Sequence, residues 1–171
     1  KYTMGVAVMA LPFFFIGHIL TLIFGYPADG YSVFYQYSVT LSGLFYMVFG
    51  LYFIYRVLGR YFSNNVTLIT LFCILFGTNL FHYGTYDSLF SHSFSFFLFT
   101  LLLYLIPRWY HNPSYVGSVI LGAVWGLITL VRIPNMISFL IFFPLFAIFS
   151  VKDFLSRARF LLDRSGVRRA A

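Results

Sequence analysis

Acid is scarce in this 171-residue sequence: Asp and Glu together number four, and charged residues of both signs make up 9%. Soluble domains carry about 25% charge. A chain that is 61% hydrophobic has too much apolar surface to hide from water at this length, because roughly a third of the unfolded chain's surface stays exposed after folding. A water-soluble globular fold is thereby excluded, and the lipid bilayer is the expected solvent. Cysteine is equally scarce. Cys73 stands alone in an apolar run, which excludes a disulfide framework and suits a small buried hydrophobe. No Gly-rich phosphate loop, no HExxH and no Ser-His-Asp set occurs. No tandem repeat, soluble domain or long linker interrupts the chain. It opens on Lys1 and Tyr2 rather than Met, so a piece of a longer protein is expected and the lack of a signal peptide says little.

What is abundant is apolar run. A spanning helix needs about 20 mostly apolar residues, within roughly 17–25. Residues 37–55, 65–82, 92–107, 115–131 and 135–150 meet or approach this, and a sixth run, 5–24, is interrupted by Pro12 and His18. Backbone left unpaired in lipid is too costly for open sheet, so the runs are expected as helices. The fold class is therefore all-α: a polytopic transmembrane helix bundle of about five spanning helices, with residues 1–150 as the membrane domain and 151–171 as a basic juxtamembrane tail.

The net charge of +7 is no nucleic-acid signal, because nine of the eleven Lys and Arg fall in three short stretches flanking apolar runs. Arg56 and Arg60 follow the second run, Arg108 the fourth, and Lys152, Arg157, Arg159, Arg164, Arg168 and Arg169 the last. The positive-inside rule puts those stretches in the cytoplasm and loops 25–36, 83–91 and 132–134 outside. Asp29, Asp87 and Arg132 then face outward, with Arg132 the one exception to the charge bias. For 5–24 two placements are open. A spanning helix leaves Lys1 inside; an interfacial or partly embedded one leaves Lys1 outside, beside Asp87. In the tail, Phe154, Phe160, Leu161 and Leu162 suit the inner leaflet, with arginines meeting anionic headgroups.

Few polar residues remain to be explained. In "TYDSLFSHSF", residues 85–94, Ser88 and His92 are four apart, as are Asp87 and Ser91. That spacing shares a helix face. Ser88, His92 and Ser95 would form a polar stripe at the rim of a water-filled cavity. Helix capping explains Asp87 and its serines equally well, and His92 alone fits an interface anchor. Arg132, in "TLVRIPNM", sits at a reversal broken by Pro134. Its planar fork of donors suits phosphate, and snorkelling to headgroups is the plainer use. Lys1 is a weak phosphate candidate. His18 reads as a core or interface histidine, His111 and Asn112 as turn residues before Pro113. Tyr26, Tyr31, Tyr35 and Tyr37 read as an aromatic belt.

Three stretches taken in order carry a resemblance. "KYTMGVAVMALPFFFIGHIL" resembles the Lys-Tyr/Pro-x-x-Gly segment closing the first outer loop of GT-C membrane glycosyltransferases. "TYDSLFSHSFSFFLFTLLLYL" is similar to their second outer acidic motif and the following helix. "LGAVWGLITLVRIPNM" looks like their Gly-x-x-x-Gly-Leu-x-x-x-x-Arg-Pro segment, with Ile133 separating Arg132 from Pro134. The group most resembled contains bacterial relatives of protein O-mannosyltransferases and of the lipid A aminoarabinose transferase, and the likeness covers nearly all of residues 1–150.

The resemblance implies a transferase in the inner (plasma) membrane, tail in the cytoplasm, moving a sugar from a polyprenyl-phosphate donor to a glycan, lipid or protein acceptor at the outer, periplasmic face. It implies a catalytic aspartate in a loop preceding Lys1, which would leave this piece inactive by itself. Asp87 would be the second acidic residue, orienting acceptor, base or a divalent metal (Mg or Mn), and His92 would join it as a catalytic group. Lys1, Tyr2, Arg132 and Ser88 would bind substrate, with Lys1 and Arg132 on the lipid-linked phosphate. It also implies an interfacial 5–24. The rivals are a polar-lipid or solute transporter or flippase, other envelope-glycan machinery such as an O-antigen ligase or polymerase, and a non-enzymatic scaffold.

Overall fold

A computed structural model describes residues 4–145 and 151–162. Among them are eight α-helices and no strand: α1 (Gly5–Ile23), α2 (Val33–Leu58), α3 (Asn64–Gly77), α4 (Leu80–Thr85), α5 (Ser91–His111), α6 (Tyr115–Val131), α7 (Ile137–Leu145) and α8 (Val151–Leu162). A 3-10 turn, Ile133–Met136, joins α6 to α7. Three helices, α1, α2 and α5, are long and apolar enough to cross a membrane. The expected five spans are thus met in part. The shorter apolar helices α3 and α6 have 14 and 17 residues, and α7 is described over 9.

The expected run 65–82 is two helices because Thr78 leaves the helix with extended φ −125° and ψ 175°. Its hydroxyl donates to the Ile74 carbonyl at 2.6 Å and accepts the Leu80 N–H at 3.2 Å. Such local bonds give backbone an alternative to the helix. The run 5–24 differs the other way: α1 continues through Pro12. Membrane helices tolerate an interior Pro when neighbours support it. Here α2 lies along the helix, and His18 is bonded through Nδ1 to the Tyr35 hydroxyl. Cys73, expected to be buried, is exposed on α3 among exposed Ile69, Phe72 and Phe76. Apart from Phe76, which meets Phe81 of α4 at 5.5 Å, this face of α3 is open and suits lipid.

The core follows from helical spacing. Phe94, Leu98, Leu102 and Ile106 recur every four residues on α5, and all are at most 1% exposed. Leu121, Val124, Ile128 and Val131 form the facing stripe of α6, and Met9 completes the cluster. The remaining apolar surface, such as Phe15, Ile16 and Ile19 on α1, points outward. Large exposed apolar area of this kind marks a membrane or partner surface. Small polar residues sit inside instead: Thr21, Ser42 and Ser93 are fully buried. Membrane helix contacts favour such residues because backbones then approach closely.

Two neighbours share α2 lengthwise. α1 runs antiparallel along its first half, from Thr21 bonded to Ser32 through Gly17 against Phe34 and Ser38. α5 runs parallel along its second half, from Phe94 beside Tyr46 to Tyr104 beside Phe53. Tyr46 is the junction. Its hydroxyl donates to the Met9 carbonyl at 2.9 Å, and its ring meets Phe94 and Phe97 at 5.2 and 5.0 Å. The start of α1 thereby reaches the end of α6, where Gly5 lies against the backbone of Leu130 and Val131.

Candidate functional site

The ends of α4 and α6 and the start of α5 converge at one end of the bundle. Asp87 lies in the turn between α4 and α5. That turn is pinned from behind: a Cβ on Gly43 of α2 would collide with the Ser88 carbonyl. Ser88 is therefore 4% exposed and faces into the bundle. It does not stand with His92 on one helical stripe, because α5 begins only at Ser91. Asp87 is no cap either. The residue before α5 is Phe90, and no side chain caps that end.

The carboxylate of Asp87 instead meets His82 of α4, with Oδ2 2.8 Å from Nε2. Their side chains are 46% and 55% exposed. A contact this open contributes little to stability, so its geometry bears more on chemistry than on folding. The His82 ring stacks on Tyr86 at 5.8 Å and meets Tyr83 edge-on at 5.5 Å. Tyr83 in turn stacks on His92, and the buried Ser93 hydroxyl donates to the Tyr83 carbonyl at 2.8 Å. Arg132 caps α6 with extended backbone at this same end of the bundle. Its guanidinium makes no hydrogen bond or ion pair with the described residues and is exposed.

The result is a line of contacts from Asp87 through His82 and Tyr83 to His92, with the Arg132 turn at the same end of the bundle. That end gathers three of the residues singled out in the sequence, Asp87, His92 and Arg132. Ser88 supports the line from below. Lys1 and Tyr2, the remaining two, lie outside the described residues. The line also uses His82 and Tyr83, which sequence reasoning passed over. His82 is five residues from Asp87, and only the turn between them closes that gap. Asn135 was passed over as well. Its amide donates to Ser95 Oγ at 3.2 Å, and its own N–H bonds the Arg132 carbonyl at 2.9 Å. It thus ties the Arg132 turn to α5. A lone amide after Pro134 in an apolar stretch was the available signal.

Two clefts border the same turn. One of about 450 Å³ is lined by Leu20, Tyr37, Leu41, Leu44, Gly84 and Thr85. The other, about 350 Å³, includes Tyr31, Tyr35, Gln36 and Leu89. The first is walled mostly by apolar side chains, the second by more polar ones. For a metal, Asp87 and His82 supply two donors. No group of three or more His, Cys, Asp or Glu converges among the described residues, so Mg or Mn would need further ligands from substrate or water.

The opposite end of the bundle is basic and aromatic. Arg108 lies over the Tyr104 ring at 4.2 Å and Arg60 over the same ring at 5.2 Å. Arg56 donates to the Tyr52 hydroxyl at 3.0 Å, and Arg157 of α8 lies over Tyr110 at 4.2 Å. Phe160 of α8 packs on Trp109 and Tyr110. Acid–imidazole chemistry and arginine clustering are thus separated along the helices. No protein family, curated protein or solved structure matches the chain.

Proposed function

We propose that this chain belongs to an integral membrane glycosyltransferase of the GT-C type, which takes a sugar from a polyprenyl-phosphate donor at the outer face of the plasma membrane. The observation that carries this reading is the line of contacts from the Asp87–His82 pair to His92, with the Arg132 turn tied to the same end of α5 through Asn135. Sugar transfer from a lipid phosphate needs two things. A carboxylate or imidazole must orient and help deprotonate an acceptor hydroxyl. A fixed cation must stabilise the departing phosphate. Arg132 is free to take two phosphate oxygens through its fork. The apolar cleft along Leu20, Leu41 and Leu44 suits a prenyl chain beside that chemistry. The arginines at the other end suit the cytoplasmic side.

The test is sugar transfer from a radiolabelled polyprenyl-phosphate donor in native membranes carrying the protein. Asp87→Asn is expected to lower turnover by about a hundredfold, the lower bound of general-base assistance, with membrane insertion unchanged. Arg132→Gln is expected to do likewise, and Arg132→Lys to recover part of the loss. Unchanged turnover in both Asp87→Asn and Arg132→Gln would remove the proposed site. A transporter of polar lipids is the second reading, favoured by the helix breaks at Thr78–Asn79 and Arg132–Met136. Interrupted helices are how transporters build binding sites. Movement of a labelled lipid between leaflets without sugar transfer would decide for it.

A further inference from the structure

We propose that Arg60, Arg108 and Tyr104 form a binding site for the phosphate of an anionic phospholipid, at the end of the bundle opposite Asp87. The two guanidinium carbons lie 5.2 and 4.2 Å from one ring centroid. Two like charges are therefore gathered on a single tyrosine that is only 9% exposed. Among the described residues, neither guanidinium is paired with a carboxylate. The chain has four acidic residues in all, and the Asp87 carboxylate meets His82 at the far end of the bundle. A counter-charge supplied from outside the described residues is therefore called for.

The position of both guanidinium groups over Tyr104 narrows what that counter-charge can be. A guanidinium lying on a ring uses its π face and keeps its N–H edge for acceptors. Both Arg60 and Arg108 are exposed, so those edges are accessible. Planar forks of this kind match the oxygens of a phosphate diester. Beside Arg108 runs a cleft of about 350 Å³, with His111, Asn112 and Ser114 among its polar lining and Leu105, Ile120 and Leu121 among its apolar lining. That order, polar head then apolar wall, is the order of a phospholipid and differs from that of a soluble phosphate. Ring and cleft share Arg108, which makes them one site. This inference is independent of the sugar-transfer reading, because it uses none of the same residues.

The experiment is native mass spectrometry of the protein purified from nanodiscs of mixed phosphatidylcholine and phosphatidylglycerol, with phosphatidylcholine in excess. Wild type is expected to retain phosphatidylglycerol in preference to phosphatidylcholine. The double variant Arg60→Lys/Arg108→Lys keeps both charges but loses the forks, and is expected to retain about tenfold less. That factor corresponds to about 1.4 kcal/mol. Arg56→Lys, which leaves Tyr104 untouched, is expected to behave as wild type. Should the double variant not fold, Arg60→Lys alone carries the same test at an exposed position. Equal retention by the lysine variants would overturn the site in favour of diffuse positive charge. No preference in wild type would overturn it too, and displacement of the lipid by millimolar inorganic phosphate would reassign it to a soluble ligand.

Discussion

The Tyr83 ring lies on the His92 imidazole, centroids 4.2 Å apart and planes 25° from parallel. This contact joins α4, which carries the Asp87 partner His82, to the first turn of α5, to which Asn135 ties the Arg132 turn. Aromatic stacks of this kind contribute about 0.5–1.5 kcal/mol beyond burial. Tyr83→Leu is therefore expected to uncouple the two halves of the site and lower sugar transfer several-fold, whereas Tyr83→Phe keeps the stack and most of the activity. Transfer assays on both variants check this; equal loss in both would assign the effect to the hydroxyl.

Gly43 has no room for a side chain, because its Cβ would meet the Ser88 carbonyl. Gly43→Ala must push the turn that carries Asp87 away from α2. Overpacking of this sort costs about 1–3 kcal/mol. The expected readout is a lowered unfolding temperature in detergent, together with faster labelling of a cysteine placed at Ser88.

Asn135 and Ser95 are 40 residues apart and joined by one hydrogen bond of 3.2 Å. Interhelical bonds in membrane proteins average about 0.6 kcal/mol in double-mutant cycles. The cycle Asn135→Ala, Ser95→Ala and both together is expected to give a coupling near that value. Additive effects, measured by denaturant unfolding in micelles, would show the bond to be idle.

The start of α1 shares an end of the bundle with Arg132, because Gly5 touches Leu130 and Val131. Met4 and Tyr86 are 67% and 78% exposed. In a Cys73→Ser background, Met4→Cys and Tyr86→Cys are expected to react with an impermeant maleimide from the same side of intact cells, and His111→Cys only after permeabilisation. Cys73 must go first, since it too is exposed. Labelling of Tyr86→Cys without Met4→Cys would make α1 a full crossing.

Much of this architecture was legible. Runs of apolar residues located α2, α5 and α6, and the arginines marked the basic end before any packing was known. The chemistry was legible only by halves. Asp87, His92 and Arg132 stand out as polar residues in apolar surroundings, but such reasoning searches along one helix at spacings of three and four. The His82–Asp87 pair spans a helix end and a turn, and Asn135–Ser95 spans two helices. Neither leaves a periodic trace. The break in 65–82 was missed for a related reason: Thr78 is unremarkable by hydropathy and acts through its hydroxyl.

The stagger of α1 and α5 along α2 has a mechanical consequence. α2, with 26 residues, is about 39 Å long at 1.5 Å per residue, whereas the hydrocarbon layer is about 30 Å thick. α1 coats the upper part of that rod with exposed Phe and Ile, and α5 coats the lower part. One flat slab of lipid cannot be centred on both. The helices must tilt or the bilayer must deform around them, at fractions of a kcal/mol per ångström of mismatch. For helices that cross a bilayer in this staggered arrangement, membrane thickness would become a variable: a thick bilayer would draw the α1 half into the acyl layer, and a thin one would leave it standing in the headgroups.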